Sequence, residues 1–261
     1  MNNQISEIVS KVSGVIEPSV GVQQFAVFDF DNTCIEHDIA EALLSYLCTN
    51  QLLKNSNLLD SLIEDSETYH RKVLARYYEL LEKGEVSNAY QFTTQMIAEF
   101  TESEIAELVS KTIISEGVEI GTKVLFGIEV AKGLRLRTDV ITLLKSLKEQ
   151  NIAIWIVSAS PEAVVTAALQ YYNIPGTCIG MRLEKDGDIL TDTIIEPLST
   201  LEGKVLCIQK YIDPIQRPIL GIGDSMNDFP MINYSHIKVV VDRNNKLAEE
   251  AKQNDWFLIT E

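Results

Sequence analysis

The sequence has little positive charge, few cysteines and few histidines, and each shortage excludes a class of protein. It holds 38 Asp and Glu residues against 22 Lys and Arg, so its formal net charge is −16. This balance argues against nucleic acid or an anionic membrane as the main partner. The four cysteines have no CxxC spacing and the three histidines are scattered, so zinc is not indicated. We expect reduced thiols in a cytoplasmic protein.

Long apolar runs are missing too, so neither a signal peptide nor a transmembrane helix is expected. Repeats and low-complexity segments do not stand out. Of the 261 residues, 46% are hydrophobic and 23% are charged, which is typical of a globular protein. The length suits one large domain or two smaller ones.

Apolar strands alternate with amphipathic helices in the second half of the chain. The predicted strands are residues 25–28, 152–157, 177–183, 218–222, 236–241 and 256–259. Their apolar character favours burial on both faces, and repeated strand–helix units join such strands in parallel. The sequence therefore predicts an α/β fold with a doubly wound, Rossmann-like parallel sheet. A turn at residues 184–188 predicts a β-hairpin beside it.

A polar, acidic and helix-rich block separates the first strand from the other units. From residue 38 to about 130 it shows helical spacing, and no strand is expected to interrupt it. We therefore predict a discontinuous core domain, residues 1–36 plus 131–261, and an inserted helical cap domain, residues 37–130.

Polar side chains follow several of the predicted strands. Asp29 and Asp31 come directly after the first one, where two buried anions require a positive group. Strand ends of a parallel sheet meet at one edge, so other polar residues are expected beside them. These are Ser158, Lys204, Asp224, Asn227 and Asp228. Lys204 is preferred to Lys210 because it lies near a helix start, and Ser160, directly before a proline, is predicted to be a helix cap.

Four motifs occur in a fixed order: DFDNT at residues 29–33, a strand ending in Ser158, Lys204, and GDSMND at residues 223–228. Together they resemble the haloacid dehalogenase superfamily of phosphohydrolases. Any one of them alone would be a weak signal, but the ordered set is specific. A helical block directly after the first motif is similar to the phosphoserine phosphatase and phosphorylcholine phosphatase branch.

The resemblance implies a role for each matching residue. Asp29 is expected to be the nucleophile that forms an aspartyl-phosphate, and Asp31 the general acid and then the base. Phosphate oxygens are expected to be bound by Thr33, Ser158, Lys204 and Asn227. A Mg²⁺ ion is expected at Asp29, Asp31 (through its backbone carbonyl), Asp224 and Asp228. Dehalogenases of the superfamily lack the second aspartate, so Asp31 favours phosphate chemistry.

These roles agree with the physical chemistry of phosphoryl transfer. A carboxylate that attacks a phosphate dianion faces like-charge repulsion, which Mg²⁺ and an ammonium would relieve. Mg²⁺ prefers hard oxygen ligands of the kind present here. We therefore predict a Mg²⁺-dependent phosphomonoesterase that acts on a small phosphorylated metabolite.

The substrate is expected to carry an amine. Phosphoserine phosphatases typically have a glutamate nine residues after the nucleophile, where this chain has Asp38, with Glu41 close by. One or two aromatic side chains of the cap could wall a quaternary ammonium. The shorter aspartate favours phosphorylcholine or phosphoethanolamine over phosphoserine, which stays the alternative.

Other functions remain open at this point. The same carboxylate pair would suit a receiver-type regulatory domain or a binding module that responds to phosphorylation without turnover. A phosphotransferase would pass the phosphoryl group from the same aspartate to an acceptor alcohol. The sequence does not indicate an oligomeric state.

Overall fold

Ten helices and eleven strands lie in the part of the chain that the computed structural model describes, residues 3–15, 23–59 and 65–260. The first ten elements are α1 (Asn3–Val15), β1 (Phe25–Phe28), β2 (Ile35–Glu36), α2 (Ile39–Thr49), α3 (Ser66–Glu82), α4 (Val86–Gln95), α5 (Glu102–Glu116), β3 (Gly121–Leu125), β4 (Ile128–Lys132) and β5 (Arg135–Leu136). The others are α6 (Thr138–Glu149), β6 (Ala153–Pro161), α7 (Glu162–Tyr172), β7 (Thr177–Asp186), β8 (Ile189–Ile195), α8 (Glu202–Tyr211), β9 (Leu220–Gly223), α9 (Phe229–Tyr234), β10 (Ile237–Val241), α10 (Lys246–Gln253) and β11 (Phe257–Ile259).

A seven-stranded sheet with the order β11-β10-β9-β1-β6-β7-β8 organises the molecule. All its neighbouring strands are parallel except β8, which forms the predicted hairpin with β7. Strand β1 lies near the middle, and each of its four residues is buried. Because β6 and β9 flank it, the carboxyl ends of these three strands lie side by side, where open α/β sheets form their sites. The predicted α/β fold is confirmed.

Four helices, α2 to α5, follow β1 and precede the rest of the sheet, as predicted. Helix α4 contacts β6, β7 and β8, and α5 packs on α7. Polar contacts across this junction include Ser87 Oγ to Thr200 Oγ1 at 3.4 Å and Gln95 Nε2 to the Asp192 carbonyl at 3.1 Å. The inserted helices thus rest on the carboxyl end of the sheet. The division into core and cap domains stays a prediction.

The expectation that no strand interrupts residues 38–130 is wrong. Strands β3 and β4 form an antiparallel hairpin, and its turn at Phe126 and Gly127 has positive φ at both residues, which suits the twist of a two-residue hairpin. The buried Glu116 carboxylate accepts from Lys123 Nζ and from the Gly133 amide, and so fastens the hairpin to the end of α5. Nine of its ten strand residues are exposed or half-buried, and the strands lack the apolar run that marks a buried strand.

Other predicted elements differ in their ends. Strand β6 continues to Pro161, beyond the predicted end at Val157, and so includes both serines of its carboxyl end. Among the described helices, none is both long enough and apolar enough to span a bilayer.

Candidate active site

A cavity of about 110 Å³ lies at the carboxyl ends of β1, β6 and β9. It is lined by Asp29, Asp31, Asn32, Tyr90, Ser158, Ala159, Asp224, Ser225, Asn227, Asp228 and Arg243. Six of the predicted site residues therefore share one small, acidic space. A larger cavity of about 460 Å³ lies between α5, α7 and the β7–β8 hairpin, but it holds none of them, and the chemistry belongs to the smaller one.

Lys204 lies behind this cavity and is fully buried. Its Nζ donates to Asp29 Oδ1 at 2.7 Å, to Asp228 Oδ1 at 2.6 Å and to the Val157 carbonyl at 2.8 Å. Burial alone would lower the pKa of Lys204, but the two carboxylates raise it above its ordinary value. An ammonium has three N–H groups, and here all three are used. Lys204 therefore joins the two carboxylates, and in this structure its three N–H groups go to protein acceptors; its contact with phosphate stays a prediction. The alternative, Lys210, donates to the Glu196 carbonyl at the surface.

Asp228 holds the loop after β9 in shape. Its Oδ2 accepts from the amides of Asp224 and Ser225 and from the Ser225 hydroxyl, each at 3.1 Å. A Cβ at Gly223 would come within 2.4 Å of the Asp228 side chain, so glycine is required there. Since both oxygens of Asp228 already accept hydrogen bonds, this residue supports the site rather than facing outward.

Asp224 is held from two sides. Its Oδ2 accepts from Arg243 Nη1 at 2.7 Å, and its Oδ1 lies 3.4 Å from the hydroxyl of Thr33. Burial and the charge of Asp228 raise the pKa of Asp224 to about 6, although Arg243 opposes the shift. Thr33 is fully buried and does not line the cavity. In this structure it positions Asp224.

The acidic cluster fits a divalent cation. Asp29, Asp224 and Asp228 each offer a carboxylate oxygen, and these oxygens lie within 4.8 Å of one another. Burial and the charge of Asp228 raise the pKa of Asp29 above its usual range. Such a rise is expected where buried carboxylates lie close together with too little positive charge beside them. Hard oxygen donors are what Mg²⁺ prefers. Because Asp228 is already saturated, Asp29 and Asp224 are the side chains best able to bind the ion.

The Asp31 side chain lies outside that cluster, and hydrogen bonds hold both of its oxygens in place. The Ile39 amide, the first of α2, donates to its Oδ1 at 2.7 Å, and Ser160 Oγ donates to its Oδ2 at 2.7 Å. Ser158 Oγ lies 3.3 Å from the same Oδ2. The prediction that Ser160 caps a helix is wrong: it lies within β6, and its hydroxyl binds Asp31 instead.

The surroundings of Asp31 favour its protonated form. Burial raises the pKa of Asp31 well above its ordinary value, and the nearby charges of Asp38 and Asp29 raise it further. The hydrogen bonds from Ile39 and Ser160 oppose the shift only in part. Asp29 has an ammonium against it, whereas Asp31 has only neutral donors and other anions. The two carboxyl groups thus have different electrostatic surroundings, which suit them to different roles.

Asn227 and Ser158 line the cavity as predicted. The Asn227 Oδ1 accepts from the Leu201 amide at 3.0 Å, which links the loop after β9 to the start of α8. Ser158 Oγ accepts from the Ser160 amide at 3.1 Å. Both side chains therefore have fixed positions at the wall of the cavity.

Asp38 and Glu41 do not line the cavity. Asp38 caps α2, since its Oδ1 accepts from the amides of Ala40 and Glu41 at 2.8 and 2.9 Å. Burial and the Glu41 charge raise the pKa of Asp38 to about 7. Glu41 accepts hydrogen bonds from the hydroxyls of Tyr78, at 2.8 Å, and Tyr77, at 3.4 Å. These residues form an acidic, aromatic group at the start of the inserted helices.

Arg243, Ser160 and Tyr90 are among the residues of the site that were not predicted to belong to it. Arg243 follows β10, which pairs with β9. Its position just after a predicted strand could have identified it as a site residue. Ser160 was recognised but given another role. Tyr90 lies on α4 and lines the cavity from the side of the inserted helices. Burial and the charges of Asp38, Asp31 and Asp29 raise the pKa of Tyr90 well above its usual range. No local pattern marks Tyr90, because its place depends on how α4 packs.

Known proteins resemble this chain in sequence and fold. Residues 26–233 match the haloacid dehalogenase-like hydrolase family, and the chain belongs to it. The phosphorylcholine phosphatase of Pseudomonas aeruginosa is 25% identical over 253 residues, which cover 82% of this chain and 72% of that protein. A functionally unknown protein from Anaerococcus prevotii DSM 20548 has a TM-score of 0.71 at 22% identity and covers 97% of this chain and 90% of its own. A substrate-bound phosphoserine phosphatase has a TM-score of 0.54 at 14% identity, with 91% and 93% covered.

These findings confirm the predicted superfamily and the prediction that the chain is an enzyme of the hydrolase class. The sequence likeness to one phosphatase and the shared fold of another agree with the branch that the motifs resemble.

The metal-free protein should lose stability as the pH rises from about 5 to about 8. Asp224 and Asp38 have pKa values of about 6 and about 7, above the ordinary 3.8. In this interval the folded protein keeps protons that the unfolded chain has lost, so the free energy of unfolding falls with rising pH. A bound cation favours the charged carboxylates, so Mg²⁺ should raise the unfolding temperature more at pH 8 than at pH 5.

Thermal unfolding in EDTA or in MgCl₂ at both pH values measures this. Asp224→Asn serves as the matched variant, because it should reduce the gain from Mg²⁺ at pH 8. A metal-free protein that is at least as stable at pH 8 as at pH 5 would contradict the prediction.

Proposed function

We propose that this member of the haloacid dehalogenase-like hydrolase family is a Mg²⁺-dependent phosphomonoesterase that works through an aspartyl-phosphate. The observation that carries the proposal is the contrast between two buried carboxyl groups two residues apart. Asp29 is paired with the Lys204 ammonium at 2.7 Å, and a bound Mg²⁺ ion would further favour its anionic form, which attacks. Asp31 is clamped by neutral donors among other anions and so keeps a proton to give. The likeness to a bacterial phosphorylcholine phosphatase supports the same reaction class.

The reaction divides into two transfers. Asp29 attacks the phosphorus atom, the bond to the ester oxygen breaks, and the departing alcohol takes the proton of Asp31. Asp31, now a carboxylate, removes a proton from a water molecule, which attacks the phosphorus and releases phosphate from Asp29. Mg²⁺ held by Asp29 and Asp224, with Asp228 in support, would neutralise charge between nucleophile and phosphate. Ser158 and Asn227 would donate to the phosphate oxygens from the cavity wall, Ser158 by turning its one O–H away from Asp31 Oδ2.

Asp29→Asn should abolish release of phosphate from p-nitrophenyl phosphate, because an amide cannot form the acyl-phosphate bond. The assay measures phosphate and p-nitrophenol in MgCl₂. Asp188→Asn removes the same charge from an exposed turn residue and should keep wild-type activity. Full turnover by the Asp29→Asn variant would contradict the proposal.

Ser160→Ala should slow proton donation by Asp31 to the leaving alcohol more than it slows the attack by Asp29 on phosphorus. An alkoxide leaves poorly without a proton, so kcat for phosphoethanolamine should fall about 10- to 100-fold. A p-nitrophenolate leaves without that help, so its release should change by roughly threefold or less. Ser103→Ala, an exposed hydroxyl on α5, is the control. Equal losses on both substrates would contradict the role given to Ser160.

The substrate is a small phosphate ester that carries an amine. Asp38 and Glu41 lie at the start of α2, next to the Ile39 amide that binds Asp31. Their negative charges suit a cation on the leaving alcohol, and the rings of Tyr77 and Tyr78 beside Glu41 suit a quaternary ammonium. Phosphoserine brings a carboxylate as well, which these acids would repel. Phosphorylcholine and phosphoethanolamine are therefore favoured.

Phosphorylcholine or phosphoethanolamine should have a kcat/KM about tenfold or more above that of phosphoserine. Glu41→Gln keeps an acceptor for Tyr78 but removes the charge. It should lower kcat/KM for phosphorylcholine about tenfold and affect p-nitrophenyl phosphate, which has no amine, much less. Steady-state kinetics on the four esters measure this. A preference for phosphoserine would contradict this prediction and would indicate a phosphoserine phosphatase instead.

A further inference from the structure

The cavity with a bound phosphate ester would hold more negative charge than Lys204 and one divalent cation balance. Four carboxyl groups line it: Asp29, Asp31, Asp224 and Asp228. Lys204, the cation identified from the sequence, lies behind them and gives its three N–H groups to Asp29, Asp228 and a backbone carbonyl. A phosphate monoester brings roughly two further negative charges near neutral pH. The phosphate oxygens need hydrogen-bond donors as well as charge, and in this structure the three N–H groups of Lys204 already bind protein acceptors.

Arg243 is the one cationic side chain among the described residues that line the cavity. Its Nη1 donates to Asp224 Oδ2 at 2.7 Å, and its side chain is 40% exposed. A guanidinium has five N–H groups in a planar fork, so one bond to Asp224 leaves donors for a second anion. The fork matches phosphate oxygens in geometry and in charge.

The loop that carries Arg243 is fastened to the loop that carries Asp224. Asn245 Nδ2 donates to the backbone carbonyl of Asp224 at 2.8 Å, and its Oδ1 caps α10 through the Ala248 amide. The Asp242 amide donates to the Ile259 carbonyl at 2.9 Å, which ties the start of the loop to β11. Two contacts to Asp224, from residues 243 and 245, thus fix the guanidinium at the mouth of the cavity.

We infer that Arg243 binds the phosphoryl group of the substrate directly and bridges it to Asp224. This inference rests on the proposed function for the class of substrate. Arg243 supplies a second hydrogen-bonding cation in addition to Lys204, and it selects for a group with two or more free phosphate oxygens. It touches the substrate without exchanging a proton, so it is a binding residue and not an acid or base.

Arg243→Gln should weaken the binding of inorganic phosphate about 10- to 100-fold, because a charged hydrogen bond is lost. Calorimetric titration of phosphate into the protein at saturating MgCl₂ measures this without turnover. Arg243→Lys keeps the charge but not the fork and should fall between the wild type and Arg243→Gln. Lys246→Gln removes the same charge three residues away at an exposed position, and should bind phosphate as the wild type does.

A role confined to Asp224 gives a different result. In that case Arg243→Gln would change the Mg²⁺ concentration needed for half-saturation, while the phosphate dissociation constant at saturating Mg²⁺ would stay within twofold of wild type. That outcome overturns the inference, as does a wild-type protein that binds no phosphate. Turnover of p-nitrophenyl phosphate by the wild type, measured in parallel, tests the proposed function separately.

Discussion

The site depends on one buried ammonium. Lys204 joins the end of β1, through Asp29, to the end of β6, through Val157, and to the loop after β9, through Asp228. Removing one partner from such a buried charge pair costs about 3–5 kcal/mol, because the other charge is left without compensation. Lys204 therefore sets the spacing of the three strand ends, and the cavity between them takes its shape from that spacing.

The inserted helices cover the site and also contribute contacts to it. One oxygen of Asp31 is bound by the first amide of α2 and the other by Ser160 of the core sheet. Tyr90 on α4 closes the cavity from the same side. The orientation of Asp31 thus depends on where the first inserted helix begins. A displacement of that helix would alter Asp31 directly, which in the proposed function would couple the insertion to catalysis.

Much of this could be predicted from local pattern. Asp29, Asp31 and Asp224 were found because each follows an apolar run, and Lys204 because it begins a helix. Ser160 was misjudged because a serine before a proline has the same local pattern whether it caps a helix or ends a strand. The β3–β4 hairpin was missed because its strands are exposed and carry no apolar run. Tyr90 has an ordinary local sequence, so only its contacts mark it, whereas Arg243 was missed although it follows a predicted strand.

By itself, the sequence determined which carboxyl groups stand at the strand ends and that they need positive charge. Apolar periodicity and strand ends are local properties, so one chain suffices to infer them. Only the tertiary structure decided how that positive charge is divided. Lys204 reaches Asp29 across 175 residues of sequence, and the distances between such remote groups decide which acceptors take its three N–H groups. For this reason the lysine faces the carboxylates, and Arg243 is the cation that lines the cavity among the described residues.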